Sequence, residues 1–166
     1  ASLNRQSGGS CVPYAWRMLT HTRTKPKELP RRKAPGPLRA RVGDELAPLE
    51  ARWPAANDYP ASPAPSFAWL SAARIAFSEA AELRVLTAER DGRTLAATAL
   101  AASGHGLSWH WMPLGSELGE PTDLSGEDPR ALRCLARSLI RQGQPVVLER
   151  MPADSPALAA IRHAAR

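Results

Sequence analysis

Four histidines and two cysteines, with several serines, are the side chains of this 166-residue chain that could carry chemistry. His105 and His110 stand five residues apart across a glycine-bounded turn, on no common helix face. No cysteine or acid clusters with them, and a metal site needs three or four convergent ligands. They are read as structural or surface residues, and no metal is expected. Ser116 lies in Gly115-Ser116-Glu117-Leu118-Gly119, which lacks the G-x-S-x-G order of a nucleophile elbow. Ser155 precedes Pro156, a pairing that caps and opens a helix. Neither Cys11 nor Cys134 has a histidine beside it in sequence, and no catalytic residue is assigned. Phosphate loops of the G-x-x-x-x-G-K-[ST] and G-x-G-x-x-G types are absent. The glycine after Leu114 is followed by a predicted helix only more than ten residues later, so helix-end amides cannot cradle an anion there.

One charged pattern stands out. Arg130, Arg133, Arg137 and Arg141 fall at i, i+3, i+7 and i+11, on one helix face. They could grip an anion or an acidic partner. The plainer reading is the solvated back of an amphipathic helix. With no interleaved aromatics this is no stacking platform, and no specific nucleic-acid partner is expected.

The elements that must position these residues follow from periodicity and capping. Leu38–Val42 predicts a strand, and Asp44 a cap for a helix carrying Leu46, Leu49 and Trp53 on one face, with Pro48 in its first turn. Pro54, Pro60, Pro63 and Pro65 predict an extended loop. Ser66 caps a second helix on which Phe67, Leu70, Ala73 and Phe77 share a face. Asp91-Gly92 predicts a tight hairpin between Leu83–Glu89 and Thr94–Ala102. Leu83 and Val85 on one face of that strand, and Leu86 and Ala88 on the other, require cover from both sides. After Gly104–Gly106, the alternation of Leu107, Trp109 and Trp111 with Ser108 and His110 predicts a strand over Leu107–Met112. Asp128, Pro129 and Gly143 bracket a helix with an apolar stripe of Leu132, Leu135, Ala136, Leu139 and Ile140. Pro145–Glu149 predicts a strand. Ser155-Pro156 opens a last helix with Leu158 and Ile161 inward, and that helix runs into Arg166 without a stop signal, as if cut. The order predicts an α+β fold around one mixed, largely antiparallel sheet flanked by helices.

Charge divides the chain. Residues 1–37 carry eight cations against Glu28 alone, a net +7, so of the overall +6 the remainder holds −1. That segment has no apolar period and is expected to be a disordered basic tail. It reads as solvated, or as translation upstream of a true start at Met18, the first methionine. An arm that touches RNA or an anionic membrane is the functional alternative. Residues 38–166 form the predicted domain. No apolar run could span a membrane, no secretory signal is evident, and the cysteine usage suits a reducing cytoplasm.

From about residue 38 onward the chain resembles the first half of bacterial acyltransferases of the CelD/BcsL type, tandem relatives of the GNAT N-acetyltransferases. The resemblance is carried by Leu46, Leu49-Glu50 and Trp53, then by Pro65-Ser66-Phe67-Ala68-Trp69-Leu70. It continues through Leu83-Arg84-Val85-Leu86-Thr87-Ala88, the Asp91-Gly92-Arg93 turn and Thr94–Leu100. Pro113-Leu114-Gly115-Ser116, Asp123 and the run from Leu148 to Pro156 complete it. The chain departs from the pattern at Ala101, where members tend to carry a proline-leucine pair after Leu100, and in an irregular loop between Trp53 and Phe67. The resemblance implies two GNAT-like halves, this chain being the N-terminal one. Acetyl-CoA or another acyl-CoA would bind the missing C-terminal GNAT half. The Q/R-x-x-G-x-G/A segment that offers amides to its pyrophosphate is absent here, so this half alone is expected to bind no cofactor and to be inactive. The whole protein would be an acetyltransferase or acyltransferase moving an acyl group to an amine-bearing acceptor, as in polysaccharide or envelope biosynthesis. This half would shape the acceptor cleft and the inter-domain interface. The implied lining residues are Phe67, Trp69, Gly115, Ser116, Asp123 and Arg150. A large exposed apolar patch is expected where the second half docks. The rival reading, from another class, is a non-enzymatic interaction module working through the basic arm.

Overall fold

The computed structural model describes residues 35–54, 65–77, 81–126 and 128–166. The readings on residues 1–34, with Met18 and Cys11, and on Pro60 and Pro63 lie outside them. The fold is α+β: a four-stranded antiparallel sheet, in the order β1-β2-β3-β4, flanked by helices. The strands are β1 (Arg39–Gly43), β2 (Leu83–Arg90), β3 (Arg93–Ser103) and β4 (His110–Pro113). The helices are α1 (Phe67–Phe77), α2 (Pro129–Arg141) and α3 (Pro156–Ala164).

The hairpin of β2 and β3, turning at Asp91 and Gly92, forms the two inner strands of the sheet. Its β2 strand is apolar on both faces, and both faces are covered. Leu86 and Ala88 pack with Leu100, Trp111 and the stripe of α2, while Ala157 and Ala160 bring α3 onto the same cluster. Leu83 and Val85 pack on the other side with Leu46, Leu49, Leu70, Ala73 and Leu114. Each fully buried leucine contributes roughly 1.5–3 kcal/mol of transfer free energy. The two clusters therefore hold the sheet from both sides. Asp128 caps α2 as its spacing predicts, its carboxylate accepting from the Arg130 N–H at 2.8 Å.

Four local expectations are corrected. The segment after β1 is a 3-10 helix, Ala47–Arg52, entered from Leu46 with no side-chain cap from Asp44. Pro48 cannot donate an N–H to an α-helical ladder, and the short helix still buries Leu46 and Leu49, leaving Trp53 just past its end in extended backbone. The strand expected from Leu107 begins only at His110. Residues Gly106–Ser108 form a 3-10 turn held by the Ser108 hydroxyl, which donates to the His105 carbonyl at 2.8 Å. Side-chain bonds of this kind compete with a strand ladder, and Leu107 is left fully exposed. Pro145–Glu149 is reduced to one parallel bridge, Trp111 with Val146, because β4 is only four residues long. The apolar stripes also overrun their cores. Phe77 ends α1 with 60% of its surface exposed and Ile140 lies 44% exposed at the border of the α2 stripe. In α3 the fully buried positions are the small Ala157 and Ala160, with Leu158 and Ile161 half-buried beside them.

Candidate functional site

Four of the six residues implied by the resemblance, Trp69, Gly115, Ser116 and Arg150, are linked beyond the end of β4, while Asp123 and Phe67 make their contacts apart from them. At Gly115 the backbone turns left-handed (φ +83°), which glycine adopts without steric cost. An added Cβ there would stand 3.1 Å from both Trp69 Nε1 and Ala73 Cβ, so α1 packs directly on this glycine. Trp69 is placed by the start of α1, where the Ser66 hydroxyl accepts from the Trp69 N–H at 3.3 Å. Ser116 follows in a short 3-10 turn, is 3% exposed, and its carbonyl accepts from Arg150 Nη1 at 3.3 Å. Arg150 itself is exposed and holds φ +55°, a left-handed conformation uncommon outside glycine.

Asp123 lies on the long segment before α2. Its Oδ1 accepts from the Leu124 N–H at 2.7 Å and from the Ser155 hydroxyl at 2.8 Å. Beside it, the Thr122 hydroxyl donates to the Glu149 carbonyl, tying the segment to the residue before Arg150. Asp123 borders a cavity of about 10 Å³, shared with Trp53, Leu70, Leu114 and Ser125. Such a volume admits about one water. Desolvation raises the Asp123 carboxyl above its ordinary value. The bonds from Ser155 and Leu124 act against that rise, and the nearby charge of Asp154 adds to it.

Phe67 lies elsewhere. It meets Trp53 edge-on at 6.0 Å and borders an open groove of about 460 Å³ with Leu46, Glu50 and Ile75. The expected broad apolar patch is not gathered on one element. Val42, Ile75, Phe77, Leu107 and Ile140 are the exposed large apolar side chains among the described residues, on β1, α1, the 106–108 turn and α2.

Three buried polar atoms of the site have no hydrogen-bond partner among the described residues: Trp69 Nε1, Ser116 Oγ and Asp123 Oδ2. Leaving such a group unpaired costs roughly 1–3 kcal/mol. The three are a donor, a donor-acceptor and an acceptor. The Ser155 oxygen accepts from the amides of Ala157 and Leu158 at 3.0 and 3.3 Å while its proton goes to Asp123. That hydroxyl is committed to capping α3. His105 bonds the Gly104 carbonyl beside the 106–108 turn, and His110, at the start of β4, bonds the Ser108 carbonyl. Among the described residues no group of histidine, cysteine or acidic side chains could hold a metal, and no helix is long and apolar enough to cross a membrane.

Sequence reasoning missed two polar arrangements. Ser125 donates to the Pro65 carbonyl at 2.6 Å and accepts from Trp53 Nε1 at 3.2 Å, fixing the entry to α1. Arg84 lies over the Trp111 ring at 4.3 Å and donates to Gln144 Oε1 at 2.7 Å, which also accepts from Trp111 Nε1 at 2.7 Å. That network, with Trp109 edge-on to Trp111 at 5.1 Å, gives the tryptophan-rich strand a structural role. No spacing rule joins residues so far apart in sequence. No protein-family model, curated protein or solved structure matches this chain.

Proposed function

We propose that this chain is the N-terminal, GNAT-like half of an acyl-CoA-dependent N-acyltransferase of the CelD/BcsL type, and that it shapes the wall of the amine-acceptor cleft. The observation that carries the reading is the linking of Trp69, Gly115, Ser116 and Arg150 beyond β4, with unpartnered polar atoms on Trp69 and Ser116 and a third on Asp123. The element order supports it: strand, short helix, helix, three antiparallel strands, helix, a parallel bridge at Val146, helix. The cavity by Asp123 is too small for a sugar. In this reading the buried trio supports the wall through water, while the exposed Arg150 meets the acceptor or the second half. The groove bordered by Phe67 and Ile75, which also carries Asp44, Glu45, Glu50 and Arg74, is where that second half would dock. Acyl-CoA belongs to the other half, and no residue here is assigned to it.

The test is an assay on the protein expressed from the uninterrupted reading frame with acetyl-CoA and an amino sugar such as glucosamine. Amine-dependent release of CoA thiol is expected, with Arg150→Ala raising KM for the amine more than it lowers kcat. No thiol release across a panel of amino sugars and amino-acid amines would set the reading aside. The second reading, an interaction module working through the basic arm, is favoured by the +7 charge of residues 1–37. It predicts salt-sensitive binding to RNA or anionic vesicles that disappears when residues 1–37 are deleted.

A further inference from the structure

The arginine face of α2 does not stand alone. Arg130, Arg133, Arg137 and Arg141 run along about 16 Å of helix, at 1.5 Å per residue. Together with Arg39 at the start of β1 they border a groove of about 800 Å³. None of the residues bordering it is acidic or aromatic. The ion pairs among the described residues engage Arg41, Arg84 and Arg90, and none of the five groove guanidiniums has a side-chain partner there. The four like charges along α2, with no ion-pair partner among the described residues, repel one another and favour an anionic neighbour.

The second observation is β1 itself. Among the described residues it is the terminal strand of the sheet and pairs β2 alone, and all five of its residues are exposed. An edge strand presents unpaired N–H and C=O groups on which an extended chain can be laid. Arginines on an edge also deter pairing between copies. Four of the five groove arginines sit on the neighbouring helix rather than on the strand edge itself.

We propose that the groove takes an extended acidic peptide of a partner protein, added to the sheet beside β1 with its carboxylates on the α2 arginines. Guanidinium forks match carboxylates two bonds at a time, and the strand edge supplies the main-chain bonds. A nucleic acid is the weaker fit, since a single strand binds through aromatic stacking that this groove lacks.

The full chain is titrated with a fluorescent peptide alternating glutamate and threonine. Fluorescence anisotropy is the first readout and the rate of Cys134 alkylation by N-ethylmaleimide the second, because Cys134 borders the groove. Binding is expected, with Cys134 protected and Cys11 unaffected, as judged by mass spectrometry of the two peptides. Arg130→Glu/Arg137→Glu, both at exposed positions, weakens binding at least ~10-fold, from lost surface pairs and new repulsion. The same charge change in the basic segment, Arg31→Glu/Arg32→Glu, leaves Cys134 protection in place. A peptide of equal charge with proline at alternate positions binds at least ~10-fold more weakly, because it cannot pair as a strand. Four results overturn the proposal: no binding, binding without Cys134 protection, equal binding of the proline peptide, or preferential binding of oligo-uridine or inorganic polyphosphate.

Discussion

The Ser155 hydroxyl gives its hydrogen to Asp123 Oδ1 at 2.8 Å while its oxygen accepts the first free amides of α3, from Ala157 and Leu158. One side chain, 2% exposed, thus ends the segment before α3 and fixes the carboxyl of the candidate site. Ser155→Ala removes a helix cap and a bond to a buried carboxyl together. The expected loss is about 1–3 kcal/mol in urea unfolding, with Ser155→Thr recovering most of it. Equal stability of the alanine variant would mean that neither bond persists in solution.

The raised Asp123 carboxyl makes a prediction about pH. In the unfolded chain the group titrates near its ordinary 3.8, and in the folded chain at a higher value, chiefly through desolvation. Across that window the native state holds the extra proton, so this group's contribution to stability falls as pH rises. Asp123→Asn abolishes the titration. The unfolding midpoint of the wild type relative to the variant should decline from pH 3.8 upward and then level off. A difference independent of pH contradicts the desolvated carboxyl.

Gly126 has φ +138°, and an added Cβ would meet the Leu95 carbonyl oxygen at 2.6 Å and Ala96 Cβ at 2.7 Å. Backbone cannot yield as a flexible side chain can. Gly126→Ala is expected to cost about 2–4 kcal/mol, from overpacking and strained φ together. Thermal unfolding measures it, and an unchanged midpoint would show that the segment before α2 is held differently.

The Arg84–Trp111–Gln144 network is expected to stabilise the far edge of the sheet and to do no chemistry. Arg84→Met keeps the aliphatic stem and removes the cation and its bonds, at an expected cost of about 1–2 kcal/mol. Tryptophan fluorescence should shift with it, reporting changed surroundings of Trp111. Full stability with unchanged fluorescence would sink the assignment.

What could be read from the sequence was local. The α2 boundaries follow from Asp128, Pro129 and Gly143, and the hairpin from Asp91-Gly92, because caps and turns act within a few residues. The two-sided burial of β2 followed from Leu83, Val85, Leu86 and Ala88 alone, since a strand's side chains alternate whatever covers them. Leu107 was misleading for a related reason: alternation around a glycine-rich turn also fits a 3-10 turn closed by Ser108. The contacts of the site were not legible. Trp69 reaches Gly115, and Ser155 reaches Asp123, across tens of residues, and only packing brings them together.

The central claim, that this chain is one half of a two-half acyltransferase, is tested most directly by reading the encoding DNA past the codon for Arg166. The account predicts an in-frame continuation of roughly 150–200 residues, about one more domain, with a glycine segment after a strand able to cradle a pyrophosphate. A stop codon directly after Arg166 would contradict it and leave the interaction module as the function of this chain.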